Sequence, residues 1–287
     1  MHSDHWHLTE DLDGFLDRAG DFVRSRPVAH LVQLTALARL RKRGAAWYGP
    51  DAPLFGSLER ADGGIEGTFH RLPSQGVGLT PLTPEQADGL AARLAGRGVG
   101  VPYVSADRAT ADAFVAAWQR HTGVTAELRV PMCLYRLGTL TPPEPFPAGR
   151  GRVVEGADRE QLMRWCREFA ADVGEDVVID AGTWSGTRFA DKTYTFWEAE
   201  DGTPLSMAGV NPVVEGVAQV DPVYTPAALR GHGYAAAVTV EVSRAALAGG
   251  AREAVLCTDA TNSTSNALYR RLGYELVTDW SVYDFAY

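Results

Sequence analysis

Apolar residues recur every three to four positions in some stretches and every second position in others, and this switching of period lays out the elements. In Leu8 to Val23, the residues Leu12, Phe15, Leu16, Ala19, Phe22 and Val23 fall on one helical face, with Thr9 as the expected cap. Val28 to Leu40 reads as a strand running into a helix. Ala45 to Thr80 reads as short strands parted by turns at Gly49-Pro50, Asp62-Gly63-Gly64 and Ser74-Gln75-Gly76. Thr83 opens a helix with Pro84 at its first position. Val101 to Ser105 is a short strand, Asp107 to His121 a helix carrying Phe114, Val115 and Trp118, and Glu127 to Leu137 a strand. Thr139 to Gly151 holds four prolines and two glycines in thirteen residues and reads as a linker.

Beyond the linker, Arg152 to Glu155 is a strand. Asp158 is the expected cap of a helix whose apolar face is Leu162, Trp165, Cys166, Phe169 and Ala170. Thr193 to Glu198 and Leu205 to Asn211 form a hairpin through Glu200-Asp201-Gly202. The most informative run is Val220 to Ala236. Val220, Val223 and Tyr224 suit a buried strand, and Pro226 ends it. Arg230, Gly231, His232 and Gly233 then lead into a helix that runs without breakers from Tyr234 to Leu247. A helix N-terminus presents unpaired N–H groups and partial positive charge, and glycines let a phosphate approach the backbone. The run is therefore a candidate pyrophosphate cradle. A strand follows at Glu253 to Asp259, then TNSTSNALYRRLGYE.

Three readings of the cradle stand side by side. Gly231-x-Gly233-x-x-Ala236 meets a loose dinucleotide fingerprint, with Asp259 as the ribose-binding acid. Thr225 to Arg230, with a proline, separates the glycines from their strand, and about fifty residues follow the motif, which is short for a doubly wound sheet. An ordinary helix-entry turn is the second reading. The third rests on two motifs in order: Arg230-Gly231-His232-Gly233-Tyr234-Ala235, and an Asn followed by a short helix bearing Tyr269 and then Gly273-Tyr274. Together they resemble the acyl-CoA site of the GNAT acyltransferase superfamily, over roughly Arg152 to the C-terminus.

The resemblance implies an α/β (α+β) fold with a mixed, mostly antiparallel sheet flanked by helices, and acetyl-CoA as acyl donor. It implies that Val223, Tyr224 and Thr225 meet the pantetheine and thioester through the strand backbone. The pyrophosphate would lie on Arg230, Gly231, His232, Gly233, Tyr234 and Ala235, and Asn262 and Asn266 would suit the pantetheine amides. Tyr269 would be the general acid that protonates the CoA sulfur; a phenol with a pKa near 10 donates at neutral pH. The competing reading of Tyr269 is a core residue beside Leu268 and Leu272. No general base is singled out; the carboxylates in reach of the argument are Asp221, Glu215, Glu168, Glu175 and Asp180.

An internal echo extends the picture. VPYVSADRATADAFVAAWQRHTG resembles VLCTDATNSTSNALYRRLGYE in its order of strand, acid, polar turn and amphipathic helix. The expected organisation is a degenerate GNAT-like domain at 1–140 without a cradle, a linker at 141–151, and a catalytic domain at 152–287.

Charge changes the expected partner. Residues 1–150 carry 16 Lys+Arg and 16 Asp+Glu, net zero, whereas 151–287 carry 11 and 20, which makes up the whole net charge of −9. Such a field favours a cationic partner over nucleic acid. Trp184, Tyr194 and Trp197, near Glu175, Asp176, Asp180 and Asp191, are the expected acceptor surface for an amine. The acceptor expected is a small-molecule amine (a metabolite or antibiotic), with a peptide or protein amine second and a CoA-binding module without turnover third. Three widely spaced cysteines, Cys133, Cys166 and Cys257, suit a reducing cytoplasm. The start lacks the apolar run of a secretory signal, and no stretch is long and apolar enough for a membrane span. His2, Asp4, His5 and His7 crowd the N-terminus, but no distant Cys/His set completes a metal site, so no metal is expected. Only two of the 27 Lys+Arg residues are lysines, Lys42 and Lys192, a bias typical of high-GC bacterial coding. Monomer and homodimer are both open.

Overall fold

The computed structural model describes residues 5–287. The chain divides into two compact units. The first takes in Met1–Leu134, Asp259–Thr261 and Leu276–Tyr287; the second takes in Tyr135–Thr258 and Asn262–Glu275. The division falls inside a strand, ahead of the Pro-rich run where the sequence reading places its linker, and the last twelve residues lie with the first unit.

In the first unit the order is β1 (His5–Thr9), α1 (Leu12–Ser25), α2 (Leu31–Arg43), β2 (Leu54–Glu59), β3 (Ile65–Arg71), β4 (Val77–Leu79), α3 (Pro84–Gly96), β5 (Tyr103–Asp107), α4 (Arg108–Thr122) and β6 (Thr125–Leu137), the last running on into the second unit. β1 through β4 pair antiparallel in sequence order, and β4 pairs parallel with β5. The core is apolar and aromatic: Trp6, Leu58, Phe69, Leu90, Phe114 and Trp118 are buried together with Phe285 from the C-terminus. Two expectations are corrected. The helix starts at Leu12, not Leu8, because His5–Thr9 pairs with β2; its cap is Asp11, whose carboxylate accepts from the Asp13 amide at 3.0 Å, while Thr9 accepts from the Asp11 amide. The expected strand after Val28 is a turn leading straight into α2.

In the second unit the order is β7 (Arg150–Val153), α5 (Arg159–Asp172), β8 (Thr193–Glu198), β9 (Pro204–Val210), β10 (Val217–Tyr224), α6 (Tyr234–Ala248), β11 (Glu253–Asp259), α7 (Ser263–Arg271) and β12 (Tyr274–Ala286). β12 passes into the first unit, where Trp280 to Asp284 pair antiparallel with β5. β7 to β10 are antiparallel neighbours, and β10 alone pairs parallel, with β11. This mixed, mostly antiparallel sheet flanked by helices is the expected fold class, and it excludes the doubly wound dinucleotide sheet, whose inner strands are parallel to both neighbours. Asp158 precedes α5 but does not cap it. Its carboxylate instead grips Arg152 at 2.7 and 2.9 Å and the Glu155 amide at 2.9 Å, because the guanidinium offers a bidentate partner.

Candidate functional site

The site is built where β10 parts from β11. Parallel pairing runs from Val217↔Glu253 to Val220↔Leu256 and stops, although β11 continues to Asp259. On its other side β10 shifts register against β9 between Val220 and Val223, then resumes at Val223↔Ala208 and Tyr224↔Met207. The shift falls at Asp221-Pro222. Proline has no N–H to give a ladder, so it is tolerated at a bulge and weakens pairing there. The result is a fork at the C-terminal end of β10, with the backbone of Val223, Tyr224 and Thr225 on one arm. Ser206 Oγ donates to Tyr224 O at 2.9 Å and meets Thr225 Oγ1 at 2.8 Å, which fixes that arm.

The cradle follows directly. After Pro226 a short 3₁₀ turn, Ala227–Leu229, brings the chain to Gly231 (φ +84°) and Gly233 (φ +82°), both in the left-handed region that favours glycine. Gly233 is the N-cap of α6, no side chain caps it, and the first helical bond is Ala237 N to Gly233 O at 3.0 Å. The N–H groups of Tyr234, Ala235 and Ala236 precede that bond and point from the positive end of the helix. Arg230 does not reach over the cradle. Its guanidinium turns back to Thr225 O at 3.0 Å and Asp172 at 2.6 Å, tying the loop to β10 and α5. His232 donates from Nδ1 to Arg230 O at 3.0 Å and stacks on Tyr234, ring centroids 5.6 Å apart.

The third part is α7. Asn262 is its N-cap, with Oδ1 accepting from the Ser265 amide at 3.0 Å. Asn266 is buried: Oδ1 accepts from the Tyr135 hydroxyl at 2.9 Å and Nδ2 donates to Asn262 O at 2.8 Å. Both amides thus orient α7. One turn further on, Tyr269 is buried with its ring on Tyr274 at 6.1 Å. Its hydroxyl makes no hydrogen bond among the described residues. Burial pushes the phenol well above its ordinary pKa, and Tyr274 and the Asp221 charge push the same way. It therefore keeps its proton through neutral pH, the state a general acid needs.

The candidate carboxylates separate by place. Glu215 lies in the turn before β10, roughly 25 Å from the fork at a strand's rise per residue. Asp180 accepts from the Gly182 and Thr183 amides, each at 2.8 Å, and fastens a turn. Glu175 is held bidentately by Arg188. Asp221 is gripped by Arg188 and Lys192. Glu168 on α5 is half-buried at the tip of β10, where it accepts from the Tyr224 hydroxyl at 2.9 Å. Burial, then this bond, pushes the Tyr224 phenol up to about 12. The expected aromatic acceptor surface is corrected: Tyr194 and Trp197 are buried, donating to Phe189 O at 3.0 Å and Ala148 O at 3.2 Å, and Trp184 packs on the same core. Tyr194 and Trp197 stand three residues apart on β8 and so face opposite sides of the sheet, both of them covered, a distinction composition does not make. Among the described residues no group of three or more ligating side chains gathers for a metal, and His2 and Asp4 lie outside those residues.

Residues 159–274 match the model of the acetyltransferase (GNAT) family. Solved structures extend the likeness in fold to the whole chain. A Drosophila protein superposes with a TM-score of 0.63 at 15% identity, covering 99% of each chain. A GCN5-related N-acetyltransferase from Sphaerobacter thermophilus gives 0.58 at 16%, covering 99% of this chain and 96% of the other. A tandem GNAT protein from the clavulanic acid biosynthesis pathway gives 0.56 at 14%, covering 98% of each. No curated protein matches the sequence.

Proposed function

We propose that the chain is an acetyl-CoA-dependent N-acyltransferase that moves an acetyl group to the primary amine of a small cationic molecule. The observation that supports this is the fork at the end of β10 leading directly into the uncapped α6 N-terminus, with Tyr269 near enough to β10 for the Asp221 charge to act on its phenol. The N–H groups from Gly231 to Ala236 receive the pyrophosphate, and the backbone from Val223 to Thr225 receives the pantetheine and polarises the thioester carbonyl. The amine nitrogen attacks that carbonyl, the C–S bond breaks, and Tyr269 gives its proton to the departing sulfur. The ammonium proton leaves toward water or the Glu168 carboxylate. The net −9 of residues 151–287 supports a cationic acceptor, and no helix among the described residues is long and apolar enough to cross a membrane.

The test is thiol release from acetyl-CoA with a panel of amines. The reading expects release with at least one cationic amine, and an acceptor KM that rises with ionic strength while the acetyl-CoA KM changes less. A protein that binds acetyl-CoA but releases no thiol with any amine is a binding module instead.

A further inference from the structure

An ion cluster closes around the bulged residue of β10. Lys192 donates to both the carboxylate and, at 3.0 Å, the backbone oxygen of Asp221. Arg188 donates to the same carboxylate at 2.6 Å and holds Glu175 with its other edge at 2.9 and 2.6 Å. The guanidinium carbon lies 4.3 Å from the centre of the Phe189 ring, and the Lys192 side chain is 1% exposed. This is where β10 has lost its ladder to β11 and shifts against β9, and where Pro222 offers no N–H. One ammonium that holds the carbonyl and the carboxylate of one residue does there what the ladder does elsewhere.

The sequence adds an independent sign. This chain uses arginine for 25 of its 27 basic side chains, 27 less the two lysines, yet the residue against Asp221 is a lysine. An ammonium is compact and turns its three donors freely, whereas a guanidinium is a wider, planar fork. A buried ion pair is weak evidence for stability, because desolvation offsets much of the attraction. A geometric role accounts better for keeping it.

We propose that Lys192 and Asp221 are positioning residues that fix the β10 bulge and hold the fork open, setting the affinity for acyl-CoA. The proposal rests on the acyl-CoA reading above. Its test uses the full chain as wild type, Lys192→Met, Lys192→Arg and the double variant Lys192→Met/Asp221→Asn. Three quantities are read: amide hydrogen exchange over 220–225, the urea midpoint, and kcat with KM for acetyl-CoA. Lys192→Met is expected to speed exchange and raise KM by about tenfold, the worth of roughly one hydrogen bond to the ligand, and to lower kcat as well, because the same arm polarises the thioester carbonyl. Lys192→Arg is expected not to restore KM. The double variant removes both charges and is expected to regain the urea midpoint but not KM, which separates positioning from stability. Wild-type exchange and KM in Lys192→Met, rescue of KM by arginine, or KM recovering together with stability in the double variant each overturn the proposal. If the wild type binds no acetyl-CoA, the functional reading fails, while exchange over 220–225 still decides whether Lys192 fixes the bulge.

Discussion

At the residue scale, Tyr269 carries the sharpest expectation. Tyr269→Phe keeps the ring against Tyr274 and removes the proton, so kcat is expected to fall about 100-fold, within the usual range for acid catalysis, with little change in the thermal midpoint. Because burial raises its pKa, steady-state rates should show no alkaline loss from this group up to about pH 10, the ordinary phenol value. His70 makes a different prediction. It is buried in the first unit, and desolvation lowers its pKa to about 4. The unfolded chain binds this proton below about pH 6.5 and the folded chain does not, so stability is lost as pH falls from 6.5 toward 4. Urea unfolding at pH 7 and pH 5 should differ by about 2 kcal/mol from this residue alone, and His70→Gln should shrink that difference. Sequence motifs located Tyr269 because its neighbours follow a pattern. They gave no role to Lys192, because its significance lies in a tertiary contact; the scarcity of lysine was the one available signal.

At the element scale, the contrast between two helix starts sets the α6 entry apart from that of α3. α3 begins with a capping box, Thr83 accepting from the Gln86 amide at 3.3 Å and Gln86 accepting from the Thr83 amide at 3.0 Å. Its N-terminal donors are thus partly satisfied from within. α6 begins with glycines and no capping side chain. Gly233→Ala puts a side chain at φ +82°, which costs roughly 1 kcal/mol, and sets its Cβ 2.9 Å from Pro147 Cγ, narrowing the approach to the backbone. Gly63→Ala imposes the same backbone strain at φ +84° in a turn of the first unit, with nothing within 4 Å of its Cβ. Calorimetry should show CoA affinity reduced about tenfold or more by the first substitution and unchanged by the second; equal effects would mean that strain alone is being measured. Elements with strong local signals were legible: the Thr83-Pro84 start, the hairpin at Glu200-Asp201-Gly202 and the Pro226 stop. β1 was not, because HWHLT alternates over five residues and abuts a helical face, and only pairing with β2 decides its state. The burial of Tyr194 and Trp197 was equally hidden, since they fall on opposite faces of β8 and only the tertiary fold decides that both faces are covered.

At the scale of the whole molecule, the two units are discontinuous in sequence. Phe285 packs with Phe114 and Trp118, and the Tyr287 hydroxyl bonds the backbone of Val101 at 2.9 and 3.0 Å. Deleting Leu276–Tyr287 should therefore destabilise the first unit, read as a loss of hydrogen-exchange protection in β5 and α4. A linker at 141–151 that parts two self-contained domains would leave that protection intact. The repeated order of elements was visible as an echo in sequence; the exchange of the terminal strand was not, because nothing local in Tyr274–Ala286 states which neighbour it pairs with. The most direct test of the account is calorimetric titration of the full chain with acetyl-CoA. It predicts saturable binding with one site per chain, abolished or strongly weakened by Gly233→Ala. No binding, or two equivalent sites per chain, would contradict it.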